Sequence, residues 1–192
     1  MTLDRGYIIM NKNREIEFKT FISKEEYEAL LDEFNLSNNI FSQTNFYFDT
    51  EDTKLLNEQT VLRIRQKGNS YKLTKKTRAS VGADETHILL NKEKAIEMLN
   101  NGFDARIIDI PYNVNKIAEL TTYRASCPYK DGRIFFDRSE YYNHVDYEIE
   151  YEVDDVKQGL IDFHDFLSSH NIKYKESIRK SKRAFDNRTK EA

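Results

Sequence analysis

From Arg14 the chain reads REIEFK, with charged and apolar residues alternating one for one. Strand side chains repeat every second residue, so Glu15, Glu17 and Lys19 share one face while Ile16 and Phe18 share the other. The pattern returns along the chain. VLRIRQK sets Arg63 and Arg65 against Leu62 and Ile64, and YKLTKK sets Lys72, Thr74 and Lys76 against Tyr71 and Leu73. DETH joins Glu85 to His87, TTYRAS joins Thr122, Arg124 and Ser126, RIFFD joins Arg133, Phe135 and Asp137, and YEIEYE joins Glu148, Glu150 and Glu152. Any fold for this chain must house a charged face on at least six strands.

A solvated outer face accounts for any one of these strands. It does not account for signs that segregate by strand, acids on the first and last, bases on the two between. Carboxylates two residues apart along a strand lie about 6.6 Å from each other, and at an effective dielectric of ~20 each pair costs about 2.5 kcal/mol. Bound cations offset that repulsion among the acids, and bound anions offset it among the bases. Converging carboxylate oxygens suit a hard ion such as Mg²⁺ or Mn²⁺, and Arg and Lys suit phosphate oxygens. If the charged faces point inward, the sheet closes as a barrel with a wet lumen and its apolar faces lie outside under helices.

The expected class is α+β. Eight strands are predicted over 11–22, 44–49, 60–66, 70–77, 84–90, 118–127, 133–137 and 145–153, with KGNS and KDGR as hairpin turns. Helices are predicted over 23–34, where Ser23 and Glu26 match a capping box, and over 91–99, 154–169 and 176–187. Six glycines and two prolines leave no linker-like stretch, so the chain reads as one domain. At 33% charged it is unusually polar, but its 12 Tyr and 12 Phe argue for a packed fold over disorder.

A net charge of -3 supplies no global basic field, so neither nucleic acid nor an anionic membrane is an expected partner. The lone Cys127 excludes an internal disulfide. No apolar run approaches the ~20 residues of a membrane span, and YIIM is too short for a signal-peptide core of about 7 to 15. The expected compartment is the cytoplasm.

EIEFK resembles the ExExK signature of the CYTH superfamily, the triphosphate tunnel metalloenzymes, which include class IV adenylate cyclases, thiamine triphosphatases and inorganic triphosphatases. YFDT at Tyr47 to Thr50, LRIR at Leu62 to Arg65, KLTKK at Lys72 to Lys76, YEIEYE at Tyr147 to Glu152 and KSK at Lys180 to Lys182 follow in the family's order. By overall pattern the chain is most similar to the Gram-positive bacterial subgroup. The resemblance implies a mainly antiparallel tunnel with Mg²⁺ or Mn²⁺ held by Glu15, Glu17, Glu85, Asp137, Glu148 and Glu150. It implies phosphate binding by Lys19, Arg63, Arg65, Lys72, Lys76, Arg124 and Lys182, with Lys72, Lys76 and Arg124 as the catalytic set. Glu152 falls at the tunnel's mouth in this scheme.

Several inorganic triphosphatases carry a water-preparing Lys where this chain has Thr122. That leaves Lys72, Lys76, a carboxylate or the metal alone to prepare the water, or else hydrolysis is slow. Lys75 stands at a usually apolar position and is expected to face outward. His87 is expected at the rim or behind the site. The implied activity is metal-dependent hydrolysis of a linear triphosphate, inorganic tripolyphosphate or an organic triphosphate. Cyclisation of ATP and binding of polyphosphate or a nucleotide without turnover are the alternatives, and a homodimer is a further expectation. The domain is expected over 10–188, with residues 1–9 a loosely ordered leader.

Overall fold

The computed structural model describes residues 7–9 and 12–188. Its strands are β1 (Tyr7–Ile9), β2 (Asn13–Ile22), β3 (Phe41–Asp49), β4 (Thr60–Lys67), β5 (Ser70–Arg78), β6 (Ala83–Leu90), β7 (Phe103–Asp104), β8 (Asn113–Tyr129), β9 (Gly132–Tyr141) and β10 (His144–Val153). The helices are α1 (Lys24–Glu33), α2 (Lys54–Asn57), α3 (Lys92–Asn101), α4 (Val156–Ser169) and α5 (Lys180–Asn187). Eight antiparallel strands close a barrel in the order β6-β2-β10-β9-β8-β3-β4-β5, with β5 returning to β6. The α+β barrel is the architecture that the alternation predicts.

The inverted plan follows strand by strand. Leu62, Ile64, Leu73 and Ile88 leave the barrel outward and pack beneath α3 with Ala95 and Met98. Ile134, Phe136, Ile149 and Tyr151 do the same on the opposite side, beneath α1 and α4 with Leu30, Phe163 and Phe166. Their neighbours in sequence face the lumen, which is why Asp137, Glu148, Arg124 and Thr74 are buried while the apolar core lies outside. Lys75 faces outward as expected and reaches the backbone oxygen of Asp109 at 3.5 Å.

Local chemistry sets the connections. The capping box forms in full, Glu26 N–H donating to Ser23 Oγ and Ser23 N–H to the Glu26 carboxylate. The aspartate of YFDT accepts from the backbone N–H groups of Leu55 and Leu56 and so anchors α2, a helix the sequence pattern does not announce. Among the described residues no helix is long and apolar enough to cross a membrane.

Two expectations change. Tyr7–Ile9 pairs antiparallel with Leu90–Ile88, so these residues form an edge strand and not a loose leader. Residues 1–6, 10 and 11, which carry the rest of that expectation and the domain start at 10, lie outside the described residues. The last helix begins at Lys180, not at 176. The chain before it is extended, because Lys175 exchanges hydrogen bonds with Thr20 and Phe21 on β2. In the KDGR turn it is Lys130 that takes the positive φ, of 48°. Gly132 is needed there for space, since a Cβ would meet Glu152 O at 2.5 Å.

Candidate functional site

The lumen is one passage with a narrow and a wide half. The narrow half, about 740 Å³ of open space, runs past Glu17, Lys19, Asn45, Tyr47, Lys76 and Lys180. The wide half, about 1630 Å³, runs past Lys72, Glu85, His87, Phe41 and Phe135. Glu15, Arg63, Arg65, Arg124 and Glu152 line both. α5 closes part of the narrow end, where Ala184 packs on Tyr47, Ala118, Leu120 and Tyr141.

Two acidic triads project from the walls, and their surroundings differ. Glu15, Glu17 and Glu152 bring carboxylate oxygens within 4.8 Å of one another. Lys76 pairs with Glu15 and lies 3.6 Å from Glu17, and Lys19 lies 3.0 Å from Glu17. Burial works against the Glu17 carboxylate, but Lys19 and Lys76 hold it far below the usual range. Glu152 has less help. Burial, then the charge of Glu15, push it up to about 7 although Arg124 draws it the other way.

Asp137, Glu148 and Glu150 form the second triad. Here the cations are built in. Lys180 donates to Asp137 at 2.8 Å and to Glu150 at 2.7 Å, and it also pairs with Glu148. Arg183 reaches Glu148 at 2.6 Å and Asp146 at 2.8 Å, and Arg124 contacts Asp137 and Glu150. Burial lowers the Lys180 ammonium to about 7, although Asp137 draws it the other way. These three acids, expected as metal ligands, thus lie inside an ion-pair lattice that neutralises them.

Glu85 joins neither triad. His87 Nε2 lies 3.2 Å from Glu85 Oε2, and His87 Nδ1 is 3.0 Å from the Thr74 hydroxyl, so both ring nitrogens are engaged. Burial opposes ionisation of Glu85, yet His87, Arg63 and Lys76 bring its pKa down to about 2. Its Oε1 sits 3.8 Å from both Arg63 and Lys76, as a spacer between two cations.

The basic wall is the counterpart of Glu152. Arg63 and Arg65 lie on β4 opposite Thr74 and Lys72 on β5. The Arg65 Nε donates to the neutral amide of Asn45 at 2.9 Å. Burial, then the charges of Arg63 and Arg124, bring Arg65 down to about 9. Lys72 is lowered by burial, then by the charges of Arg65 and Arg63. Lys182 does not join the others: it is half exposed on α5, 2.8 Å from Asp186. Lys180, two residues earlier, takes the interior place. Thr122 is fully buried and lies 3.4 Å from Ser139, hydroxyl to hydroxyl.

Sequence reasoning missed Lys180, Asn45 and Tyr47 as lumen residues. For the last two the signal was present, because TNFYFD alternates as the charged strands do. For Lys180 the KSK motif marked the segment, but strand periodicity cannot choose between two lysines on a helix that reaches in from an end.

A family model described as the CYTH domain matches residues 13–185. A Bacillus subtilis (strain 168) protein, YjbK, provisionally named a triphosphatase, is 32% identical over 192 residues, covering 94% of this chain and 99% of that one. A solved Bacillus halodurans structure, provisionally described as an adenylate cyclase, is 31% identical with a TM-score of 0.83, covering 91% of this chain and 98% of that one. The Hippeastrum protein HpAC1, for which a dominant triphosphatase activity is described, shares the fold at 21% identity and a TM-score of 0.72, covering 90% and 95%.

Proposed function

This chain belongs to the CYTH domain family, and on that premise we propose that it hydrolyses a linear triphosphate, inorganic tripolyphosphate or an organic triphosphate, laid along the lumen. One observation carries the reading: a cluster of acids, Glu15, Glu17 and Glu152, and a cluster of bases, Arg63, Arg65 and Arg124, line the same cavity. A divalent cation neutralises the first and a polyanion the second, and a metal-chelated triphosphate supplies both. The likeness to YjbK supports the same reaction class.

Glu15, Glu17 and Glu152 fit a hard divalent ion by donor type and by mutual distance, which favours Mg²⁺ or Mn²⁺. Such an ion, when bound, would lower the pKa of a water and screen phosphate charge. The rest falls to the chain. Arg63, Arg65 and Arg124 grip non-bridging phosphate oxygens, and Lys19 and Lys76 add point charges while keeping Glu17 ionised. Charge that develops on the departing phosphates is met by cations already fixed in place by the barrel wall.

For the proton of the attacking water, Lys72 is the better acceptor of the two lysines. Its ammonium is lowered by burial and by Arg65, whereas Glu17 and Glu15 outweigh burial and raise that of Lys76. Cyclisation of ATP is the second reading. The Bacillus halodurans relative carries that provisional name, and the wide half, walled by Phe41 and Phe135, has room for a nucleobase.

Purified protein offered tripolyphosphate, ATP or thiamine triphosphate with Mg²⁺ or Mn²⁺ decides among these. Phosphate release that disappears in Glu15→Gln supports hydrolysis. Pyrophosphate with cyclic AMP supports cyclisation, and tight binding without turnover overturns both.

A further inference from the structure

Two donors in the narrow half are idle in the free protein. The side-chain nitrogen of Asn45 and the hydroxyl of Tyr47 are buried without a hydrogen-bond partner among the described residues, as is Arg63 Nε. Asn45 and Tyr47 are 0% and 3% exposed. Folded proteins rarely leave buried donors unmet, because each one weakens the native state.

The three idle donors lie together. Asn45 and Tyr47 are two residues apart on β3, share the lumen face, and stand directly opposite Arg65 and Arg63 on β4. The bond from Arg65 Nε to Asn45 Oδ1 assigns the amide's orientation, which leaves its NH₂ as the free end. Burial raises the Tyr47 pKa, so the phenol keeps its proton and donates. A wall with unmet donors and adjacent guanidinium groups is a receptor for anionic oxygen.

We propose that Asn45 and Tyr47, with Arg63, form an end subsite for the unesterified terminal phosphate of the substrate. This inference rests on the triphosphate reading above and adds a direction to it. The narrow half is the smaller, and α5 covers the β3, β8 and β9 side of its end through Ala184. The wide half has more than twice the open space and carries Phe41 and Phe135 on its walls. A bare phosphate end therefore lies toward α5, and any esterified group lies toward the wide mouth. Linear triphosphates with at least one free end are accepted; those capped at both ends are not.

Titration calorimetry with tripolyphosphate, ATP and diadenosine triphosphate, metal-free and with Mg²⁺, tests this alongside thermal unfolding of the free proteins. Tyr47→Phe removes an unpaired group, so the free variant should unfold at or above the wild-type temperature while its tripolyphosphate Kd rises about tenfold. Asn45→Asp keeps an acceptor for Arg65 but exchanges the idle donor for a charge, and should weaken binding further. Diadenosine triphosphate should not bind where ATP and tripolyphosphate do. Unchanged affinity in both variants, or tight binding of the doubly capped compound, overturns the end subsite and leaves the triphosphate reading standing. Wild-type protein that binds none of the three overturns that reading and the subsite with it.

Discussion

Arg124 holds Asp137 by two parallel hydrogen bonds across the β8–β9 ladder, Nε to Oδ1 at 2.7 Å and Nη2 to Oδ2 at 2.6 Å. Lys180 adds a third contact to the same carboxylate, which is wholly buried. Removing one member of such a set strands the others. Asp137→Ala should cost about 3–5 kcal/mol in urea unfolding. Burial opposes ionisation of Asp137, but Arg124 and Lys180 depress its pKa far below the ordinary 3.8. The stabilisation is therefore complete above pH 3.8 and lost as pH falls through the folded value, so the variant's deficit should shrink under acid.

Glu152 behaves in the opposite sense. Its folded pKa of about 7 stands above the ordinary 4.5, so its contribution to the metal-free protein is complete below pH 4.5 and lost as pH rises through about 7. Mg²⁺ should then raise the thermal midpoint more at pH 8 than at pH 5. Glu152→Gln should abolish that difference and raise the Mg²⁺ concentration for half-maximal activity about tenfold or more. An equal Mg²⁺ effect at both pH values would move the ion away from this triad.

Lys180 and Lys182 provide a matched pair in one turn of α5. Lys180→Ala leaves Asp137, Glu148 and Glu150 short of a cation and should cost several kcal/mol by the same measurement, with activity falling alongside. Lys182→Ala breaks an exposed contact with Asp186 and should stay within about 0.5 kcal/mol and near wild-type turnover.

Gly82 lies where the β5–β6 loop presses on the backbone of Glu15. Its φ is +69°, and a Cβ there would meet Glu15 O at 2.2 Å. Gly82→Ala must therefore displace the backbone that carries Glu15. The expected result is a loss of about 1–3 kcal/mol together with a weaker metal requirement curve, read from Mg²⁺ titration of activity.

Period-two alternation made the inside and outside of this barrel legible before any coordinates, because a strand's two faces cannot exchange without a slip in register. Glu15, Arg63, Lys76 and Arg124 sit in the lumen, and Leu62 and Ile64 sit outside, for that reason alone. What the pattern could not report is which charges meet. Glu148 and Glu150 read as free acids until Lys180 and Arg183 arrive from a helix some 30 residues later. The helix start at 180 was hidden too, since 176–179 carries no Pro or Gly, and the extended path is fixed by tertiary bonds, Lys175 to Thr20 and Phe21 on β2 and the Ser177 hydroxyl to Glu148 on β10. Propensity yields to such bonds wherever a strand edge is open.

β2 pairs with β6 over Asn13–Glu15 only, and beyond that point its open edge is met at Thr20 by Lys175, 155 residues later. The wall is thus completed by a stretch of chain far downstream of the strand it seals. Such a contact between distant parts of the sequence carries a large loop-closure cost, so sealing the lumen beside β2 is a long-range event, unlike the hairpin pairings elsewhere in the barrel.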